Sequence, residues 1–240
     1  MKTKIFNISL IDCKKIYPRF AANGDDLIFI SKISEQKEKY GIAISLLILG
    51  AEEYCKAILI LLRAYSVKVF EIKELRKAFS DHKKKHEVAI LIEVINLIEY
   101  IISPGYCYQK PKKKESGTFR EIFSANTFGI FKMFKSVKLI AESIDWWGKA
   151  DYFKNRGFYV DFDDKLLTPD DFEKNDYVKA LLVVTQLKRS YRKLNIAFNR
   201  MSTKRRNELV IDLNQGIKLY IENTNTADQN APPTPSPASA

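Results

Sequence analysis

The sequence predicts an all-α, multi-helix bundle with one short extended or β-hairpin arm near residues 157–167. Three observations carry this. The chain of 240 residues has 9 glycines and 8 prolines, and four of those prolines fall in the last ten positions, so its body is poor in turn residues. Apolar residues recur at spacings of three and four along the body, which is the helical period. The pattern shifts to period two at GFYVDF (157–162), where Phe158, Val160 and Phe162 alternate with Tyr159 and Asp161.

Composition bounds the function. Hydrophobic residues make up 46% of the chain, enough for a sizeable core. Forty Lys and Arg stand against 29 Asp and Glu, a formal net charge of +11, which favours a polyanion partner, nucleic acid before a membrane surface. Cys13, Cys55 and Cys107 are odd in number and widely spaced, with no CxxC, which reads as a reduced, cytoplasmic protein without a disulfide framework. The apolar run at the N-terminus is too short and interrupted for a signal peptide.

A first helical segment begins near Ser9 and is interrupted or kinked at Pro18 and Asn23-Gly24. A second runs from Asp25 to Lys39, with Leu27, Ile28, Ile30 and Ile33 as its apolar positions. The central element is Gly41–Arg63, apolar almost all the way round, as befits a buried helix. It reaches membrane-spanning length, but Glu52, Glu53 and Lys56 near its middle each disfavour insertion by roughly 2.5–3.5 kcal/mol. Carboxylates are seldom buried without partners. Glu53 and Lys56 are three apart and Glu52 and Lys56 four apart, so they share a sector. They are either an ion pair on the helix flank or a polar cluster supporting a site. The scarcity of other polar face favours the cluster.

Val67–Phe79 reads as a shorter helix, with Val69, Ile72 and Leu75 at three-residue spacing. Ser80-Asp81 caps a helix starting near His82 with HKKKH, along which Glu93, Asn96 and Glu99 draw a polar stripe. Ser103-Pro104-Gly105 ends it. Tyr106–Thr118 reads as an exposed basic loop containing QKPKKKES, and Phe119–Lys149 as helical, with Trp146 and Trp147 packing near its end. Thr168-Pro169-Asp170-Asp171 is a helix start. In the helix that follows, Tyr177, Leu181, Val184, Leu187, Tyr191, Leu194 and Phe198 form one apolar stripe, with Lys188, Arg189, Arg192 and Lys193 on the other side. A last helix covers Thr203–Ile221. Residues 1–222 are read as a single helical domain and 223–240 as a disordered low-complexity tail.

The chain has two histidines, His82 and His86, one helical turn apart with three lysines between them, so a metal site is not expected, nor any cofactor. No GxSxG, Walker, GxGxxG or HExxH motif occurs. What remains is Arg76 and His82. On one straight helix they would lie about 120° apart, and they converge only if the chain bends at Ser80-Asp81. A helix N-terminus keeps His82 a neutral base, and an arginine grips phosphate at two points. Those are the parts of metal-free RNA cleavage, a base for the 2′-hydroxyl and a cation for charge on phosphorus. The plainer reading is two exposed charged residues at a helix junction.

The blocks AEEYCKA (51–57), FSDHKKKH (79–86) and NRGFYVDF (155–162), in that order, resemble the AbiV family of abortive-infection proteins, bacterial phage-defence proteins placed with the HEPN helical domains. The resemblance covers most of residues 10–200. It implies a HEPN-like bundle, often a homodimer, that stops phage multiplication by shutting down translation, with a phage protein as activator and no membrane partner. The family's acidic block falls on Glu52, Glu53 and Lys56. Its histidine–lysine block falls on His82 with Lys83 and Lys85, and its arm on Arg156, Tyr159, Val160 and Asp161. HEPN ribonucleases carry R-x4–6-H, and the match to that spacing is Arg76 to His82. Two functions follow. One is an effector that binds a partner and RNA or the translation machinery through Glu52, Lys56, Lys83, Lys85, His86, Arg156, Tyr159 and Asp161. The alternative is a metal-independent endoribonuclease using Arg76 and His82, with Glu53 orienting the histidine. The binding effector is favoured.

Overall fold

Helix α1 (Leu10–Gln36) opens on a cap, Ser9, whose hydroxyl accepts from the Asp12 amide at 3.1 Å. The computed structural model describes residues 5–102 and 140–229. The loop at 106–118, the residues 103–105, Cys107, most of 119–149 and the segment 230–240 lie outside the described residues.

α1 is one helix, not the two expected. Pro18 lies inside it and withholds one N–H from the Lys14 carbonyl, but both residues are exposed, so solvent can take that carbonyl. Asn23-Gly24 is no break either. Gly24 is buried where α1 crosses α2 (Tyr40–Ala64), and a Cβ built on it would stand 2.9 Å from the Gly50 carbonyl. The glycine serves close approach of two backbones. The buried positions Cys13, Tyr17, Ala21, Gly24, Ile28 and Ser31 step by three and four, so one stripe of α1 faces α2 throughout.

α2 is the buried axis, with seventeen of its 25 residues buried. α1 covers one side of it. The other sides are covered by α4 (His82–Ile102), α5 (Ala150–Phe158) and α6 (Lys174–Arg200). Among the described residues no helix is long and apolar enough to cross a membrane. The expected helix over Val67–Phe79 is instead a 3₁₀ turn, Val69–Glu71, then a short α3 (Lys73–Lys77), separated by extended backbone at Ile72. Phe6, Phe70 and Phe79 meet edge to face beneath that turn at 5.4–5.7 Å.

Trp147 packs as expected, 1% exposed, in a helical stretch at 140–148 that leads into α5. The arm begins later than predicted, because α5 holds the chain helical through Phe158. β1 (Asp161–Asp163) pairs antiparallel with β2 (Lys165–Leu167), Phe162 opposite Leu166, around Asp164 at φ +48°. Thr168 forms its capping box with Asp171, but over a 3₁₀ turn, Pro169–Asp171. A second box, Glu173 with Asp176, starts α6. The stripe of α6 is as predicted in outline, with Tyr177, Val184, Leu187, Tyr191 and Phe198 buried. α7 (Thr203–Gln229) extends past the predicted end at Ile221, which makes 223–229 helical, not tail. No proline or glycine interrupts that stretch, and each added residue closes one more backbone bond without needing burial. Asn214 docks α7 onto the turn that follows α2, accepting from the Lys68 amide at 2.8 Å and donating to the Ser66 carbonyl at 3.1 Å.

Candidate functional site

Helical spacing builds the site. His82, Lys85 and His86 stand at i, i+3 and i+4 on α4, which places all three on one face. Asp81 caps that helix, its carboxylate accepting from the Lys83 amide at 2.9 Å. The face turns toward Glu52 at the middle of α2. From the other flank α5 brings Lys154, three residues after Asp151. α5 can approach because Gly157 sits against α2: a Cβ there would fall 2.3 Å from both the Gly41 carbonyl and Ser45 Oγ. Ser45 Oγ also donates to the Lys154 carbonyl at 2.8 Å, fixing the backbone beneath the lysine.

One carboxylate therefore gathers four basic side chains. His82 Nδ1 lies 2.7 and 2.8 Å from the two Glu52 oxygens. Lys85 Nζ donates to Oε2 at 3.0 Å and Lys154 Nζ to Oε1 at 3.2 Å. His86 Nε2 stands 3.5 Å from Oε1, without a well-formed hydrogen bond. Glu52 is 3% exposed, and Lys85, His86 and Lys154 are each 5–6% exposed. Burial works against ionising Glu52. The facing His86 imidazole and the charges of Lys85 and Lys154 outweigh it and hold the carboxyl well below the usual carboxylate range. Lys154 also pairs with Asp151 at 3.1 Å, so two carboxylates balance two ammonium groups, and a proton on either imidazole makes the cluster positive.

His82 differs from its neighbours in being half exposed. An ionised Glu52 can only accept, so Nδ1 carries the hydrogen and the lone pair of the neutral ring lies on Nε2. The site thus offers an oriented imidazole at its mouth, with Lys85 Nζ 3.5 Å from Nδ1 and a buried carboxylate behind. The Trp147 ring lies 6.0 Å from that of His86 and closes the inner side.

The structure divides the residues predicted together. Glu52 is in the cluster. Glu53 pairs instead with Lys56, whose ammonium lies 5.1 Å from the Phe20 ring. The expected sharing of one sector by Glu52, Glu53 and Lys56 thus resolves into a buried acid, Glu52, and a separate ion pair of Glu53 with Lys56. The carboxylate that orients His82 is Glu52, in the role expected of Glu53. Arg76 is exposed and lines a groove with Lys56, Lys73 and Lys77, and His82 is not among the residues lining that groove. Lys83 is exposed beside His82.

Arg156 points elsewhere than Lys154, as residues two apart on a helix do. It donates to Tyr152 Oη and Asp171 Oδ2, each at 3.3 Å, and covers the Phe172 ring, fastening α5 to the 3₁₀ turn. Tyr159 is 65% exposed on the arm, and Asp161 accepts from the Phe162 amide at 2.8 Å. None of the three touches Glu52. Sequence reasoning missed Lys154, which carries no local signal beyond its place after the aromatic pair Tyr152-Phe153. It read Glu93 only as part of a polar stripe, and the structure supplies its partner, Gln186, which donates to it at 2.5 Å. Among the described residues no group of three or more His, Cys, Asp or Glu is placed to hold a metal ion.

A family model described as AbiV, of the HEPN kind, matches residues 12–189, a span that contains every member of the Glu52 cluster. No curated protein and no solved structure matches the chain.

Proposed function

The chain belongs to the AbiV family of HEPN-type, abortive-infection phage-defence proteins, and on that footing we propose that it blocks phage multiplication by engaging RNA or the translation machinery through the Glu52 cluster. The observation that supports this most is the convergence of His82, Lys85, His86 and Lys154 on one buried carboxylate, with only the imidazole of His82 opening outward. Glu52 holds the half-exposed ring of His82 in one orientation beside the exposed Lys83, and a fixed imidazole next to an ammonium is a contact point for phosphate oxygens. The net charge of +11 steers a polyanion toward it. The proposal extends to a homodimer, to a phage protein as trigger, and to action in the cytoplasm, where phage messages are translated.

One observation favours a second reading, metal-independent RNA cleavage. The Glu52–His82 hydrogen bond of 2.7 Å presents Nε2 as a base, as a carboxylate behind a histidine does in hydrolases. In this reading Glu52 takes the orienting role, Lys85 supplies the nearer cation, and Arg76 binds RNA away from the reacting atoms. Incubating the purified protein with total RNA in chelator separates the two. New ends bearing cyclic phosphate, absent with His82→Ala, mean cleavage. Retention of RNA without new ends means binding alone, and neither result removes RNA from the function.

A further inference from the structure

Arg76 was matched to His82 by spacing, but the structure sets it on a groove of its own. The groove has a volume of about 610 Å³, and its floor is Ile5, Phe6, Phe20 and Phe79. Its rim carries Lys56, Lys73, Arg76 and Lys77. Lys56 is neutralised by Glu53. Among the described residues Lys73, Arg76 and Lys77 form no ion pair, so three cations stand free around an aromatic floor. A volume of this size lies within the roughly 300–1,000 Å³ of small-ligand sites. Aromatic side chains offer a planar ring surfaces to pack on, and free cations attract phosphate. A nucleotide has both, and a base is available to such a floor only when it is not stacked in a duplex.

The groove is also tied to the Glu52 cluster twice. Ser80 lines the groove and His82 follows two residues later, so their Cα atoms are at most about 7.6 Å apart. Lys56 lines it too, one turn or about 6 Å along α2 from Glu52. That separation is on the order of one nucleotide step. Resting on the reading of this protein as one that engages RNA, we propose that the groove holds one nucleotide of a single-stranded RNA. The base lies among Phe6, Phe20 and Phe79, the phosphates lie on Lys73, Arg76 and Lys77, and the strand continues past His82.

Titration of the full-length protein with a fluorescent single-stranded RNA, across a range of salt, tests this. Removing three phosphate contacts in Lys73→Ala/Arg76→Ala/Lys77→Ala lowers the salt slope by about 2, at about 0.7 per contact. All three side chains are exposed, and a melting curve confirms the fold. An abasic oligomer of equal length binds wild type at least about 5-fold more weakly, because it loses the base that stacks. A triple variant with unchanged slope, an abasic strand bound as tightly, duplex RNA bound as tightly as single strand, or a polyglutamate peptide competing as well as RNA each overturns the groove assignment while leaving RNA engagement standing. Wild type that binds no RNA overturns both.

Discussion

Glu52 is a buried ion whose charge is met from two other helices, and that makes it a point of both strength and exposure to failure. Removing one partner from a buried ionic group leaves the others uncompensated and costs about 3–5 kcal/mol. Glu52→Gln is therefore expected to lower the unfolding free energy by about that amount in urea titrations, because it strands Lys85 without a carboxylate. The pH dependence follows from the same contacts. The Glu52 carboxyl is held below its ordinary value of 4.5 in the folded state, so the unfolded chain binds a proton more readily. The stabilisation is complete above about pH 4.5 and is lost as the pH falls further through the folded value. Wild type should lose stability on acidification below that point more steeply than Glu52→Gln, and equal acid slopes would contradict the assignment. The acid itself was legible: a carboxylate in GIAISLLILGAEEYCKA has to be partnered. Which of two adjacent acids turned inward was not, since they lie about 100° apart on a helix and what decides between them is the position of α4 and α5.

At the scale of elements, the cluster depends on how closely α5 lies on α2. Gly157→Ala places a methyl 2.3 Å from a backbone carbonyl and a buried hydroxyl. Overpacking of this kind costs about 1–3 kcal/mol, and here it also pushes Lys154 away from Glu52. Gly216 in α7 has nothing within 4 Å of its would-be Cβ, so Gly216→Ala should raise stability by about 0.5–1 kcal/mol through helix propensity. Thermal melts of the two variants should move in opposite directions. If Gly157→Ala melts like wild type, the crossing is looser than described. α6 was legible through its strong periodicity and α2 through its nearly unbroken apolar run. Pro18 misled, because whether a proline breaks a helix depends on who takes the orphaned carbonyl. The helical start of the arm misled because GFYVDF alternates locally, while its first residue, Gly157, is held in α5 by packing against Gly41 and Ser45. The close crossings at Gly24 and Gly157 have no signature in one chain segment alone, since each depends on a second helix, the next one for Gly24 and one over a hundred residues earlier for Gly157.

At the scale of the whole molecule, the excess of positive charge bears on the proposed engagement of RNA. Binding through phosphates releases counterions, so the dissociation constant for single-stranded RNA should rise about 10-fold or more between 50 and 200 mM salt if three or more phosphates are held. A flat salt dependence would mean that the +11 charge is not used in this way. Fold class and family were both legible from the sequence, through turn-residue scarcity and three ordered blocks. The grouping of cations into a buried set and an open groove was not, because linear order puts Arg76 six residues from His82 without saying that they face different spaces.

The central claim is that the imidazole oriented by Glu52 is where this protein acts. His82 is half exposed but also hydrogen-bonds the buried Glu52 carboxylate, so His82→Ala should cost about 1–3 kcal/mol, with Lys85 and Lys154 still pairing the acid, and a melting curve checks that the variant is folded. The most direct measurement is the plating efficiency of a sensitive phage on cells expressing wild type or His82→Ala at equal, soluble levels. The account predicts protection by wild type and its loss in the variant. Full protection by a folded His82→Ala protein would contradict it.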